Sequence, residues 1–311
     1  METPKVQGLG GFGLVVPDLG EAEKFYGTFG LEARNHEAAL LLGSPGRAHP
    51  ECVLRRGDRK RLHHVSFFIR PGDRDRFAEA LAAAGHEVAE EPPEGWVRPG
   101  LWFRDPWGTW IHLDPSTPSP PEIPPEPPSN QYGRADRVDV HLWMALERNR
   151  LPLRIGHMLM FTADWEKAEA FYRDTLGLKT TDRVARKLTF MSAGDGVRDH
   201  HCFGLINGTH RGFQHASFQV ASFNDIGFGV WRMREAGFTE SFGTGRHSLA
   251  SNLFHYLRDP WGSWAEYYTD MDKITDAWTC RNFETPPYVW GPEWSPEFWG
   301  GEMNANLEPA D

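Results

Sequence analysis

Only three cysteines occur in 311 residues, at positions 52, 202 and 280, far apart and with no CxxC pair. That pattern offers no disulfide framework and suits a reducing compartment. No apolar run reaches the ~18 residues of a membrane span. The opening METPKVQGLGG lacks the basic-then-apolar order of a secretory signal. A cytoplasmic location, away from membranes, is therefore expected. Positive charge is also short: 33 Lys and Arg against 43 Asp and Glu leave a net charge of -10. Nucleic acid and anionic membrane both need a basic surface, so neither is expected as the main partner. The one basic run, RRGDRKR at 55–61, reads as a solvated loop.

What the chain does have is apolar mass, 40% of its residues with 13% aromatic, enough for a substantial core and for two domains. The stretch STPSPPEIPPEPPS (116–129) is too proline-rich for helix or paired strand and marks a stiff connector between them. On either side of it the sequence repeats itself. GGFGLVVPDLGEAEKFYGTFGLE (10–32) is answered by GHMLMFTADWEKAEAFYRDTLGLK (156–179), each an apolar strand, a turn, and an amphipathic helix ending in Phe-Tyr and a Gly. HHVSFFI (63–69) is answered by QHASFQV (214–220), each followed by a helix, over 73–84 and 223–236. FRDPWGTWIHLD (103–114) is answered by LRDPWGSWAEYY (257–268), a hairpin turned by Asp-Pro-Trp-Gly. Three segments in register and order imply a duplication. Each half reads as strand, helix and strands twice over, so the expected fold is α+β, with four βαβββ units forming two open barrel-like domains. The expected division is 1–115, a connector over 116–150, 151–270, and a Trp/Pro-rich tail over 271–311.

The paired units, the FY…LGL helix end and the closing DPxGxxxE hairpin resemble the vicinal oxygen chelate superfamily. Up to about residue 270 the chain resembles its two-domain type I extradiol catechol dioxygenases. That resemblance implies an Fe(II) cofactor, with Mn(II) as the other candidate, and an aromatic diol and O2 as partners. Its products would be a muconic semialdehyde or related keto acid, and a homo-oligomeric assembly is expected.

The duplication also supplies an internal control, since a residue needed only for folding belongs in both copies. His157, His215 and Glu266 in the second half correspond to Gly11, His64 and His112 in the first. Two imidazoles and a carboxylate are the facial triad of non-haem Fe(II) oxygenases, which leaves adjacent coordination positions open. His64 and His112, with glycine opposite them, read as structural. The family pattern further places a His nine residues before a Tyr and the metal Glu ten residues after it, which His247, Tyr256 and Glu266 satisfy. The first half has Pro93, Trp102 and His112 there.

DHHCFGL (199–205) resembles the family's paired histidines. By that alignment His201 faces the metal, while His200, turned away by strand alternation, is the alternative. The resemblance implies that Tyr256 and His247 hydrogen-bond the diol or take its proton, and that His201 gives a proton on the oxygen side. A redox-neutral glyoxalase or epimerase and a non-catalytic aromatic-ligand binder are the competing readings on this scaffold. The aromatic-rich sequence points to a hydrophobic diol, such as a bicyclic one, over a carboxylated one, with Arg246 or Arg198 as residues that could bind a carboxylate and a hydroquinone, the para-diol, as the variant substrate. The tail PPYVWGPEWSPEFWGG (286–301) is expected to pack over the barrel mouth or a neighbouring subunit.

Overall fold

A computed structural model describes residues 4–118, 120–146, 150–284, 288–293 and 298. Parts of the expected connector and tail (119, 147–149, 285–287, 294–297 and 299–311) lie outside them. The first half runs β1 (Gly8–Val16), α1 (Leu19–Phe29), β2 (Glu32–His36), β3 (Ala39–Gly43), β4 (Cys52–Arg56), β5 (Arg61–Phe68), α2 (Arg74–Ala83), β6 (Leu101–Arg104) and β7 (Trp110–Asp114). After a short helical turn α3 (Leu142–Ala145), the second half runs β8 (Arg154–Thr162), α4 (Trp165–Leu176), β9 (Lys179–Val184), β10 (Leu188–Ser192), β11 (Arg198–Asp199) and β12 (Phe203–Asn207). It continues through β13 (Gly212–Gln219), α5 (Phe223–Glu235), β14 (Ser241–His247), β15 (Leu253–Arg258) and β16 (Trp264–Thr269). Three short strands follow, β17 (Lys273–Ile274), β18 (Arg281–Phe283) and β19 (Tyr288–Trp290).

The strand order of the first sheet, β2-β3-β4-β1-β5-β7-β6, recurs in the second as β9-β10-β12-β8-β13-β16-β15, extended by β14 and by β18 and β19 at the edges. One repeat unit is reduced. Where the second half has β14, the first has a single bridge between Ala89 and Trp102. The sequence there, EEPPEGWVRPG, carries three prolines, which cannot donate to a ladder. No helix among the described residues is long and apolar enough to cross a membrane.

The repeated turn joins the halves. Asp105 Oδ1 accepts the backbone N–H groups of Trp107 and Thr109, and Asp259 Oδ1 those of Trp261 and Ser263. The second oxygen of each carboxylate looks across the interface. Tyr172 of α4 donates to Asp105 Oδ2 at 3.0 Å, and Tyr26 of α1 bonds Asp259 in return. The Phe-Tyr helix end and the Asp-Pro-Trp-Gly turn are thus two parts of one exchanged contact. Lys60 also pairs with Asp259 and is buried, so the basic run is not wholly the solvated loop its composition suggests. The pair becomes possible because each charge has the other inside a low-dielectric interface. Phe29 stacks on Tyr267 at 3.9 Å and Phe12 on Phe213 at 4.9 Å, so one hydrophobic core runs through both halves.

Candidate metal centre

Three neighbouring strands carry the centre. His157 lies on β8, His215 on β13 and Glu266 on β16, with Ser217 of β13 in register with both His157 and Glu266. Side chains two apart on a strand share a face, so His215 and Ser217 point the same way and the three groups converge. His157 Nε2 is 3.1 Å and His215 Nε2 3.5 Å from Glu266 Oε2. One ligand atom from each residue lies within 4.8 Å of the others, and all three side chains are buried.

Three further observations bear on whether this set suits a cation. His157 Nδ1 and His215 Nε2 are buried without a hydrogen-bond partner, which is costly unless something else binds them. Burial lowers the His215 pKa to about 3, despite the opposing charge of Glu266, so its imidazole is neutral and able to donate a lone pair. Burial alone would raise the Glu266 pKa, but hydrogen bonds and charge from His157, with help from His247 and His215, hold it below the usual carboxylate range. A set of two imidazoles and one carboxylate fits Fe(II) or Mn(II).

Sequence reasoning missed two supporting residues. Ser217 donates its hydroxyl to Glu266 Oε2. Gln214 Oε1 accepts from His215 Nδ1, which directs the ring's Nε2 into the centre. Adjacent strand residues normally point to opposite faces. Here the register slips between Phe213 and His215, and the bulge lets Gln214 turn back on its neighbour. Gly156 is also constrained, because a side chain there would run into Tyr268 beside His157. Gly156→Ala is expected to cost about 1–3 kcal/mol of stability and to weaken metal binding, both measurable by thermal unfolding and metal titration of the purified variant.

Around the centre lies a pocket lined by His157, His201, His215, His247 and Tyr256, with Leu159, Leu188, Phe190, Ile206, Leu249 and Phe298 forming apolar walls. Tyr256 Oη is 3.2 Å from His247 Nε2. Burial and the Glu266 charge raise the Tyr256 pKa well above normal, so the phenol stays protonated. The His201 ring packs 4.4 Å from that of His157, while His200 turns away to Asp182. Strand alternation is not what separates them, because both lie in the bend between β11 and β12. His201 has its pKa pushed well down by burial and by the imidazoles of His157, His200, His247 and His215. Phe298 brings part of the tail over His215 and Tyr256, and Gln214 Nε2 donates to its carbonyl. Arg246 bonds Ser251 O and Asp270, and Arg198 bonds Ser192 and Asp276; neither lines the pocket.

The sister position in the first half is filled. Gly11 has φ +130° and abuts the Glu51 carbonyl, leaving no room for a side chain. His112 engages Ser66 Oγ at 2.7 Å and Pro99 O at 3.1 Å, so both its nitrogens are taken. Trp102 stacks on His112 at 4.4 Å and Trp96 meets His64 edge-on at 5.0 Å.

The model of the glyoxalase/bleomycin resistance protein/dioxygenase superfamily matches residues 8–113 and 154–267. Metapyrocatechase 2 of Cupriavidus necator is 38% identical over 295 residues, covering 91% of this chain and 88% of the relative. A manganese-dependent 2,3-dihydroxybiphenyl 1,2-dioxygenase of Geobacillus genomosp. 3 is 24% identical over 335 residues, covering 98% and 99%. Among solved structures, a Mn(II)-bound glyoxalase from Novosphingobium aromaticivorans superposes with a TM-score of 0.77 at 20% identity, covering 99% of each chain. That last likeness concerns the fold.

Proposed function

The chain belongs to the glyoxalase/bleomycin resistance protein/dioxygenase superfamily, and from that premise we propose that it is an extradiol ring-cleaving dioxygenase acting on an uncharged catechol. The carrying observation is the asymmetry between the halves. Two imidazoles and a carboxylate converge in the second, beside His201, His247 and Tyr256, while tryptophans fill the equivalent space in the first. His157, His215 and Glu266 would hold Fe(II) or Mn(II). When bound, the ion couples diol oxidation to dioxygen reduction, the chemistry that side chains alone do not supply.

The remaining groups bind, orient and move protons. Tyr256, kept protonated, donates a hydrogen bond to a diol oxygen. His247, beside it and the more solvent-accessible of the two, accepts the proton that the diol loses on binding. His201 borders the same cavity and gives a proton to the oxygen side as the ring opens. The leucine, isoleucine and phenylalanine walls exclude water and grip an aromatic ring. No Lys or Arg lines the pocket among the described residues, which favours a diol without a carboxylate. Ring opening beside the hydroxyls gives a muconic semialdehyde or related keto acid.

The test is anaerobic reconstitution with Fe(II), followed by catechol in air. A yellow ring-fission product with matching oxygen uptake is expected. Turnover of a thiol adduct without oxygen uptake would instead identify a glyoxalase-type enzyme, and tight diol binding without turnover a binding protein.

A further inference from the structure

Beneath His201 lies a second imidazole that faces away from the pocket. His200 and Asp182 are buried, at 0% and 2% exposure, and His200 Nε2 is 2.8 Å from Asp182 Oδ2. The other carboxylate oxygen accepts the backbone N–H of Arg281 at 2.8 Å. Among the described residues no Lys or Arg side chain pairs with Asp182, and a buried carboxylate needs a compensating charge. His200 Nδ1 lies 3.1 Å from His201 Nδ1. Its backbone N–H donates to Asp272 O at 3.0 Å, and Trp278 packs edge-on to its ring at 5.3 Å, so it has little freedom to turn.

We propose that Asp182 and His200 form a proton reserve behind His201, with His200 as the imidazolium partner of the Asp182 carboxylate. The facing Nδ1 atoms make a hydrogen bond only when they share one proton. An ionised Asp182 only accepts, so the proton on His200 Nε2 is fixed. With His200 as the imidazolium, its Nδ1–H donates to His201 Nδ1, and His201 carries its own proton on Nε2, the nitrogen that serves the pocket. When His201 Nε2–H gives its proton to the reacting oxygen, His200 Nδ1 passes one to His201 Nδ1. One N–H bond breaks and one forms on His201, which is neutral before and after. The charge change falls on His200, beside Asp182. His200 and Asp182 are positioning residues that act through His201, so both histidines of the pair have a task. The use made of the proton rests on the dioxygenase reading above.

The test has two arms on the full-length protein. Nitrogen-15 histidine NMR of the metal-free protein at pH 7, with His200→Gln to assign the resonances, should show both His200 ring nitrogens protonated. In Asp182→Asn one of them should be bare. Kinetically, Asp182→Asn in the Fe(II)-reconstituted enzyme should lower kcat about 10²-fold, the scale of one general-acid contribution. Bound iron and KM for catechol should be unchanged, and Asp182→Glu should recover part of the rate. A neutral His200 in the unsubstituted protein, an unchanged kcat in Asp182→Asn, or loss of iron in proportion to kcat would each overturn the relay. Should Asp182→Asn fail to fold, the NMR arm on the unsubstituted protein still decides. Absence of ring cleavage by the unsubstituted protein would refute the dioxygenase reading and leave the NMR result standing.

Discussion

Glu266→Gln is expected to lower Fe(II) affinity by more than about 10²-fold, since even partners outside the ligand set cost 10–100-fold when lost. Turnover of catechol should fall by more than about 10³-fold, roughly 4 kcal/mol of lost transition-state stabilisation. The substitution keeps the shape of the side chain and removes the one anionic donor among His157, His215 and Glu266. It also turns an acceptor-only group, contacted by Ser217 and by the His157 and His215 rings, into one that presents an N–H₂ to some of them. The duplication provides the control. His112 occupies the equivalent place in the first half, where Ser66 and Pro99 already satisfy both its nitrogens. His112→Gln should therefore leave iron content at its starting value. Iron analysis after gel filtration, with oxygen-electrode rates on the same samples, checks both statements. Equal iron loss in the two variants would remove the distinction between the halves.

Acid should unfold the metal-free protein early. Burial, ahead of any neighbouring charge, lowers His63 and His112 to about 3 and His255 to about 4. In the unfolded chain each titrates near ~6.5. Between those values the unfolded state binds protons that the native state refuses, so stability falls as pH falls from the unfolded value toward the folded ones. Above about pH 7 these groups make stability flat with respect to pH. Three such groups remove about 4 kcal/mol by pH 5.5 and about 8 kcal/mol by pH 4.5, set against the ~5–15 kcal/mol that holds a typical domain together. Urea midpoints at pH 7.5, 6.5, 5.5 and 4.5 should fall slightly over the first interval, by the equivalent of about 1 kcal/mol, and then drop steeply. A midpoint unchanged down to pH 5 would show that these imidazoles are solvated in the native protein.

Local pattern carried much of the architecture, because a duplicated strand-helix-strand rhythm and a repeated Asp-Pro-Trp-Gly turn leave few ways to arrange the sheets. It could not say that Tyr26 and Tyr172 reach the turns of the opposite halves, or that Lys60 is buried against Asp259, since those contacts join residues remote in sequence. The contrast between Gly11 and His157 was visible as a difference in residue type, while its cause, the Glu51 carbonyl pressed against Gly11, needed coordinates. Gln214 escaped notice for a similar reason: strand alternation points it away from His215, and only the bulge returns it. The pairing of His200 with Asp182, eighteen residues back on β9, has no signal in periodicity or spacing. The fourth strand expected in one unit of the first half is absent, because three prolines in EEPPEGWVRPG cannot donate to a ladder there.

Crystals grown without oxygen in the presence of Mn(II), with anomalous scattering recorded at the manganese edge, test the central claim most directly. One peak per chain is predicted, within bonding distance of a nitrogen of His157, a nitrogen of His215 and an oxygen of Glu266, with none near His64 and His112. An absent peak, or a peak held by other side chains, would contradict the account.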